Sequence, residues 1–177
     1  MIVINTNNVK SHFNEKLQNN VENCYLFKSK IKLINSVRDL ANDLTSDEIS
    51  IDTYIAGSTE SPTPFFCYFY RLAELRPTKE QLIIMLRANN VNVRCLALLY
   101  IRAYADPSIV YACMNGSFKD NKLLTIETIG EYAMRLLDEE KLDHGGFRLP
   151  RLPLKIQRAI TKKINAIKDD RAKEIER

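Results

Sequence analysis

The sequence holds few side chains that could carry out acid–base or metal chemistry. Its only histidines are His12 and His144, and no His-x-x-x-His pair is present to bind a metal ion. His144 lies in the sequence Asp-His-Gly-Gly at residues 143–146, near Glu139 and Glu140, and a carboxylate can orient an imidazole for proton transfer. Because Gly-Gly after a helix usually ends it, we interpret this segment as an exposed loop at a helix end. A catalytic His144 is the alternative.

The four cysteines do not form a recognisable metal or redox motif. Cys24, Cys67, Cys95 and Cys113 are separated by 43, 28 and 18 positions, and no Cys-x-x-Cys pair occurs. We therefore expect four buried thiols that pack as small hydrophobic side chains. The sequence also lacks the glycine-rich loops that bind phosphate groups through backbone amides. It thus predicts no catalytic activity, no metal and no cofactor.

Two arginines interrupt the most apolar part of the chain. Twelve of the fifteen residues at positions 91–105 are apolar or Tyr, and Arg94 and Arg102 are two of the exceptions. On a helix they lie about 80° apart and about 12 Å along the axis. Because a buried guanidinium needs a partner, one interpretation is an internal salt-bridge network with Glu74, Asp106 or an acidic residue of positions 120–143. The other is that both side chains reach a groove and bind a protein partner.

The formal net charge of +4 is divided unevenly along the chain. Residues 120–147 hold 3 basic and 7 acidic side chains, whereas residues 148–177 hold 10 basic and 4 acidic ones. On a helix, four isoleucines of the second segment fall within an arc of about 80°: Ile156, Ile160, Ile164 and Ile167. The opposite side carries Lys155, Arg158 and Lys162, and also Arg151 if the helical turn continues back to it.

This basic face admits three interpretations. It is a solvated surface behind an isoleucine stripe that packs on the core, a docking surface for an acidic partner helix, or a contact for RNA phosphates. No aromatic residue occurs between positions 148 and 177, so stacking on RNA bases is not supported.

Helical periodicity dominates the rest of the chain, with helices predicted to begin near residues 63, 78, 91, 107, 125 and 153. Thr63-Pro64 favours a helix start over the strand that the following aromatic run also permits. Thr78 and Gln81 have the spacing of a capping box. Thr125 is a candidate cap for a helix that shares one face among five apolar residues: Ile126, Ile129, Ala133, Leu136 and Leu137.

Two other segments complete the prediction. Apolar residues recur at helical spacing between positions 31 and 44, which predicts one amphipathic helix there: Ile31, Ile34, Val37, Leu40, Ala41 and Leu44. The two Leu-Pro pairs of residues 149–153 predict an extended or turn element.

These elements predict an all-α fold, an irregular single-domain multi-helix bundle around a central apolar helix. The helix starts are unevenly spaced, which argues against a repeat solenoid. We expect one helical domain at residues 1–168 and a frayed, charged end at residues 169–177. The longest apolar run, residues 95–101, is too short to span a membrane, and the first five residues lack the basic region of a signal peptide. We therefore expect a soluble intracellular protein.

Three motifs in order resemble the pre-mRNA-splicing factor 38 family. Ser-Pro-Thr-Pro-Phe-Phe-Cys at residues 61–67 resembles the family's Pro-Thr-Pro-Phe helix start. Residues 92–102 are similar to its Val-Arg-x-Leu-x-x-x-Tyr-x-Arg helix, and Leu-Pro-Arg-Leu at residues 149–152 resembles an element near the domain's end. Order and spacing agree over roughly residues 15–165.

The resemblance implies a nuclear, non-enzymatic scaffold protein of the tri-snRNP that is needed for spliceosome activation. It implies binding to other spliceosomal proteins, including a zinc-finger splicing protein, with no membrane and no small-molecule substrate. Arg94, Tyr100 and Arg102 are then candidates for fold or partner contact, and the basic face is a candidate docking surface. A direct RNA-binding module that uses the basic C-terminal helix is the alternative.

Overall fold

The structure is a computed structural model that describes residues 10–44, 50–124, 127–137 and 143–175. Nine α-helices lie within these residues: α1 (Glu15–Asn23), α2 (Tyr25–Ser29), α3 (Val37–Asp43), α4 (Pro64–Leu75), α5 (Lys79–Leu86), α6 (Val91–Tyr104), α7 (Pro107–Met114), α8 (Ile129–Leu136) and α9 (Leu154–Ile175). Short 3-10 helices cover Ile31–Leu33 and Asn115–Ser117, and a two-stranded hairpin joins β1 (Asp143–His144) to β2 (Phe147–Arg148). The all-α prediction is confirmed. None of the described helices combines the length and apolar character needed to cross a membrane.

Helix α6 is the centre of the fold. Every residue after Val91 is buried, and α4, α5, α7 and α8 pack around it. Its start is fixed by Asn90, whose side chain accepts hydrogen bonds from the amides of Asn92 and Val93. A helix that is apolar on almost every side is stable only when other helices enclose it, which is the arrangement observed. The predicted central helix is confirmed.

The predicted starts of α4 and α5 are also confirmed. The Thr63 side chain accepts from the Phe66 amide, and Pro64 occupies the first helical turn. Thr78 and Gln81 form the expected reciprocal capping box. The aromatic run of α4 is therefore helical, and its rings join an aromatic cluster that also receives Phe13 and Phe147.

The single helix predicted for residues 31–44 is wrong. A 3-10 turn at Ile31–Leu33 is followed by extended backbone at Ile34, and α3 begins only at Val37. The reason is Ser36, whose side chain accepts from the Asp39 amide and so caps a new helix. Burial follows the break, because Ile31, Val37, Leu40 and Leu44 are buried whereas Ile34 and Ala41 are only partly covered.

The predicted start of α8 also needs correction. Thr125 and Ile126 lie outside the described residues, and the helix begins at Ile129 with Thr128 as its cap. Thr128 and Glu131 form a capping box that competes with any earlier start. Ile129, Ala133, Leu136 and Leu137 are all buried, so the apolar face itself was predicted correctly.

A hairpin replaces the loop that was expected at residues 143–146. Gly145 and Gly146 have φ of 50° and 110°, a region that favours glycine, and they turn β1 back onto β2. The hairpin then contacts the start of the chain, because the Asn14 amide donates to the Gly146 carbonyl and the Arg148 amide donates to the His12 carbonyl. The side chains of Asp143 and His144, and residues 138–142 with Glu139 and Glu140, lie outside the described residues.

The final element is α9. Residues 149–153 form neither a helix nor a strand and lead into a helix that continues to Ile175. The charged end predicted at residues 169–177 is helical over residues 169–175, and its fraying stays a prediction. The Arg171 guanidinium donates to the Phe118 carbonyl and so connects this end of α9 to the body of the protein.

Candidate docking surfaces

The two arginines of α6 face inward. Arg102 is 1% exposed; its Nε donates to the Leu136 carbonyl at 2.8 Å and its Nη1 to the Pro150 carbonyl at 2.9 Å. One guanidinium thus joins α6, the last turn of α8 and the extended segment before α9. Two backbone carbonyls are therefore partners of Arg102, and charge-assisted bonds of this kind are strong.

Arg94 does find an acidic partner. It forms an ion pair with Asp120, a member of the acidic segment that the sequence singled out. Asp120 also accepts two hydrogen bonds from the backbone: its carbonyl oxygen accepts from the Gly130 amide, and its carboxylate accepts from the Lys122 amide. Glu74 instead binds Lys10 and Arg71, and Asp106 caps α7 through Ser108, so neither of these candidates reaches the α6 arginines.

Tyr100 lies between the two arginines in sequence and is fully buried. Its ring packs on Tyr104 with 4.6 Å between centroids, and its hydroxyl has no hydrogen-bond partner among the described residues. Burial raises the pKa of Tyr100 above its usual value, so the hydroxyl stays neutral. The structure places Arg94, Tyr100 and Arg102 in the interior, and a contact with a partner protein by any of them stays a prediction.

Helix α9 is seated on the body of the protein by one face only. Ile160 and Ile164 are buried, and Ile156 and Ile167 are partly covered. Polar contacts flank this stripe: Gln157 Nε2 donates to the Leu137 carbonyl at 3.0 Å, and the Lys163 ammonium lies 4.4 Å from the centre of the Tyr111 ring. The isoleucine stripe predicted from the sequence is therefore the packing face.

The opposite face of α9 is basic and exposed. All four predicted residues are exposed, and none has a carboxylate partner among the described residues: Arg151, Lys155, Arg158 and Lys162. A shallow depression of about 570 Å³ runs along this side between Gln157 and Asp169, with Arg158 and Lys162 among its lining residues. Lys155, Arg158 and Lys162 lie on α9, whereas Arg151 lies in the segment before it, because the helix begins only at Leu154. We call the surface formed by these four residues the α9 basic face.

Sequence reasoning missed a polar network beneath α1. The Lys10 ammonium contacts the carboxylates of Glu22 and Glu74 at 3.1 Å each, and the Tyr70 hydroxyl donates to Glu22. The hydrogen bonds from Tyr70 and then Lys10 lower the pKa of Glu22, whereas burial and the bond to Glu22 raise the pKa of Tyr70 to about 12. No local sequence pattern predicts this network, because the residues that form it come from segments far apart in the sequence.

In the part of the chain that the structure describes, there is no reactive cysteine site and no cluster of side chains that could bind a metal ion. Cys67 and Cys95 are buried, and burial raises the pKa of both thiols. Cys24 and Cys113 are only partly covered, so the expectation of four buried thiols is wrong for these two. No three His, Cys, Asp or Glu side chains of the described residues cluster as metal ligands would.

Comparison with known proteins decides the family. The model of the PRP38 family matches residues 2–162, which is most of the chain. The chain belongs to the PRP38 family. A PRP38-family relative, Pre-mRNA-splicing factor 38 of Schizosaccharomyces pombe, is 32% identical over 89 residues. That match covers 49% of this chain and 42% of the relative's length, so the chain matches less than half of that protein.

The PRP38-family assignment agrees with the fold of a solved structure. A chain in the crystal structure of the Snu23-Prp38-MFAP1(217-258) complex of Chaetomium thermophilum superposes with a TM-score of 0.72. The superposition covers 90% of this chain and 84% of that chain at 19% sequence identity. At this identity the likeness establishes a shared fold.

Proposed function

We propose that this PRP38-family chain is a non-enzymatic pre-mRNA splicing factor of the nucleus. In this proposal it is a helical protein-interaction scaffold of the tri-snRNP that is needed for spliceosome activation. Family membership and the name of the Schizosaccharomyces pombe relative support a role in pre-mRNA splicing. The solved complex of Prp38 with Snu23 and MFAP1 supports protein partners, and we extend these to other spliceosomal proteins, including a zinc-finger splicing protein.

The observation that carries the scaffold role is the α9 basic face. Three of its four cations, Lys155, Arg158 and Lys162, lie on a helix whose other side is anchored by Ile160, Ile164 and Arg171; Arg151 lies in the segment just before that helix. Because none of the four contributes an ion pair to the described fold, their charge is available for an acidic protein surface. Preorganised charges of this kind speed association and favour partners of opposite sign.

The experiment is affinity purification of the full chain from nuclear extract, followed by identification of the co-purifying proteins. Splicing proteins should be enriched with the wild-type chain and reduced at least several-fold with Lys155→Glu/Arg158→Glu. The matched control is Lys16→Glu/Lys32→Glu, which makes the same change in charge at exposed lysines far from α9. Absence of splicing proteins from the wild-type sample, with normal splicing in extract depleted of the protein, would contradict the proposal.

Direct RNA binding is the second candidate function, and the same exposed cations favour it. Contact with phosphates would make the affinity fall steeply as the salt concentration rises. The Lys155→Glu/Arg158→Glu variant should then lose affinity for a single-stranded RNA oligonucleotide, while Lys16→Glu/Lys32→Glu retains it. An equal affinity of both variants and the wild-type chain would remove α9 from RNA binding.

A further inference from the structure

A second surface lies away from α9, in a groove between α3 and α5. The groove has a volume of about 890 Å³ and is closed at one end by the turn that leads into α6. Its floor is apolar, with Val37, Met85 and Val93 buried beneath it. Ile84 stands at its edge with 69% of its surface exposed, which is a high exposure for a large aliphatic side chain. We call this surface the α3–α5 groove.

The rim of the α3–α5 groove is positively charged. Arg38 and Arg87 are both exposed and line it, and neither guanidinium has an ion pair or hydrogen bond with another described residue. No acidic side chain is among the described lining residues. An occupant with carboxylates at its edges would therefore meet unpaired guanidinium groups on both sides of an apolar floor.

Two of the four uncharged polar side chains that line the groove already have partners within the chain. The Asn90 amide already caps α6 and donates to the Leu44 carbonyl, and the Gln81 side chain is used in the α5 capping box. An extended segment needs new backbone partners, whereas a helix satisfies its own backbone. α3 and α5 span seven and eight residues, so the walls are about 10–12 Å long and match two turns of a guest helix.

We propose that the α3–α5 groove binds an amphipathic helix with acidic flanks from a partner protein. The aliphatic side chains of that helix, at i, i+4 and i+7, lie over Val37, Met85 and Ile84. Its flanking carboxylates pair with Arg38 and Arg87. The inference rests on the proposed scaffold function for the source of the partner, and it uses a surface separate from the α9 basic face.

The test is fluorescence anisotropy with the full chain and a labelled synthetic peptide. The peptide is a helix of about four turns with leucines at i, i+4 and i+7, glutamates beside them and alanines elsewhere. We expect saturable binding that weakens as salt rises from about 50 to about 200 mM. Replacing the glutamates by lysines should weaken binding by about tenfold or more.

Two variants of the groove locate the binding. Ile84→Glu and Arg38→Glu/Arg87→Glu should each weaken the binding by about tenfold or more, since one places a charge in the apolar contact and the other reverses the rim. The matched controls are Leu123→Glu, at a side chain that is 71% exposed elsewhere, and Lys155→Glu/Arg158→Glu on α9; both should bind as the wild-type chain does. Circular dichroism checks that each variant is folded.

Other occupants give distinct results. Residues 45–49, which follow α3 and include Asp47 and Glu48, lie outside the described residues. If they occupy the groove, Asp47→Asn/Glu48→Gln will tighten peptide binding, and the proposal is overturned. Equal binding by the wild-type chain and both groove variants, or no binding at all, also overturns it. If splicing proteins co-purify while the peptide does not bind, only the groove assignment fails; peptide binding without splicing proteins overturns only the proposed function.

Discussion

Helices α6 and α9 both combine basic side chains with a stripe of aliphatic residues, and the fold places their charges in opposite environments. In α6, Arg94 and Arg102 are buried and bind Asp120 and two backbone carbonyls. In α9, Lys155, Arg158 and Lys162 are exposed, whereas the isoleucine stripe faces the core together with Gln157 and Arg171. The α6 arginines hold elements of this chain together, whereas Lys155, Arg158 and Lys162 of α9 make no ion pair within the described residues.

The largest effect should come from removing the Arg102 guanidinium. Arg102→Met leaves the Leu136 and Pro150 carbonyls without these donors in the interior, and each loss costs about 1–3 kcal/mol. We expect the free energy of unfolding, measured by urea denaturation, to fall by about 4 kcal/mol. The control Arg158→Met removes an exposed guanidinium of α9 and should change it by less than about 0.5 kcal/mol. Equal effects of the two substitutions would abolish the contrast between the helices.

The Arg94–Asp120 pair should show the next largest effect. Asp120→Ala leaves a buried guanidinium without its carboxylate, and we expect a loss of about 3 kcal/mol in the free energy of unfolding. Adding Arg94→Met should restore part of that loss, because the uncompensated charge is then gone. A double-mutant cycle measures the coupling directly. Additive losses would show that the two side chains do not depend on one another.

The seating of α9 should be weaker than the α6 contacts but measurable. Ile164→Ala removes one of the two buried anchors of the helix and should cost about 2 kcal/mol. Hydrogen exchange of the α9 amides should accelerate with it, because the helix packs on the rest of the protein by one stripe only. The control Lys162→Ala, on the exposed side, should change neither quantity. Unchanged exchange in Ile164→Ala would mean that other contacts hold α9.

Local signals explain which elements the sequence predicted. The caps of α4 and α5 involve residues only a few positions apart, so Thr63 and Thr78 can be recognised without knowing the fold. The errors at Ser36 and Thr128 are of the same local kind. Ser36 and Thr128 each stand three positions before an acidic residue, which is the spacing of a cap. The apolar periodicity of residues 31–44 continues across Ser36 and so predicted a single helix. For α8, Thr125 was predicted as the cap in place of Thr128.

The remaining features depend on contacts between distant parts of the chain. Phe13 and Phe147 come together in the aromatic cluster, with 4.9 Å between ring centroids, only because the hairpin folds back on the start of the chain. The α3–α5 groove likewise exists only once two helices from separate segments are packed. For the candidate site, the four basic residues named from the sequence are exposed and their role in docking stays a prediction, whereas the sequence left open whether Arg94 and Arg102 face inward.

The smallest effect should come from Tyr100→Phe. The Tyr100 hydroxyl is buried and has no hydrogen-bond partner among the described residues, so its removal forfeits no bond and relieves a desolvated polar group. We expect the free energy of unfolding to stay within about 0.5 kcal/mol of the wild-type value or to exceed it by up to about 1 kcal/mol. Capture of splicing proteins should be unchanged as well, because the hydroxyl lies inside the fold. A loss of capture with unchanged stability would instead assign Tyr100 to partner recognition and place part of α6 on the same functional side as α9.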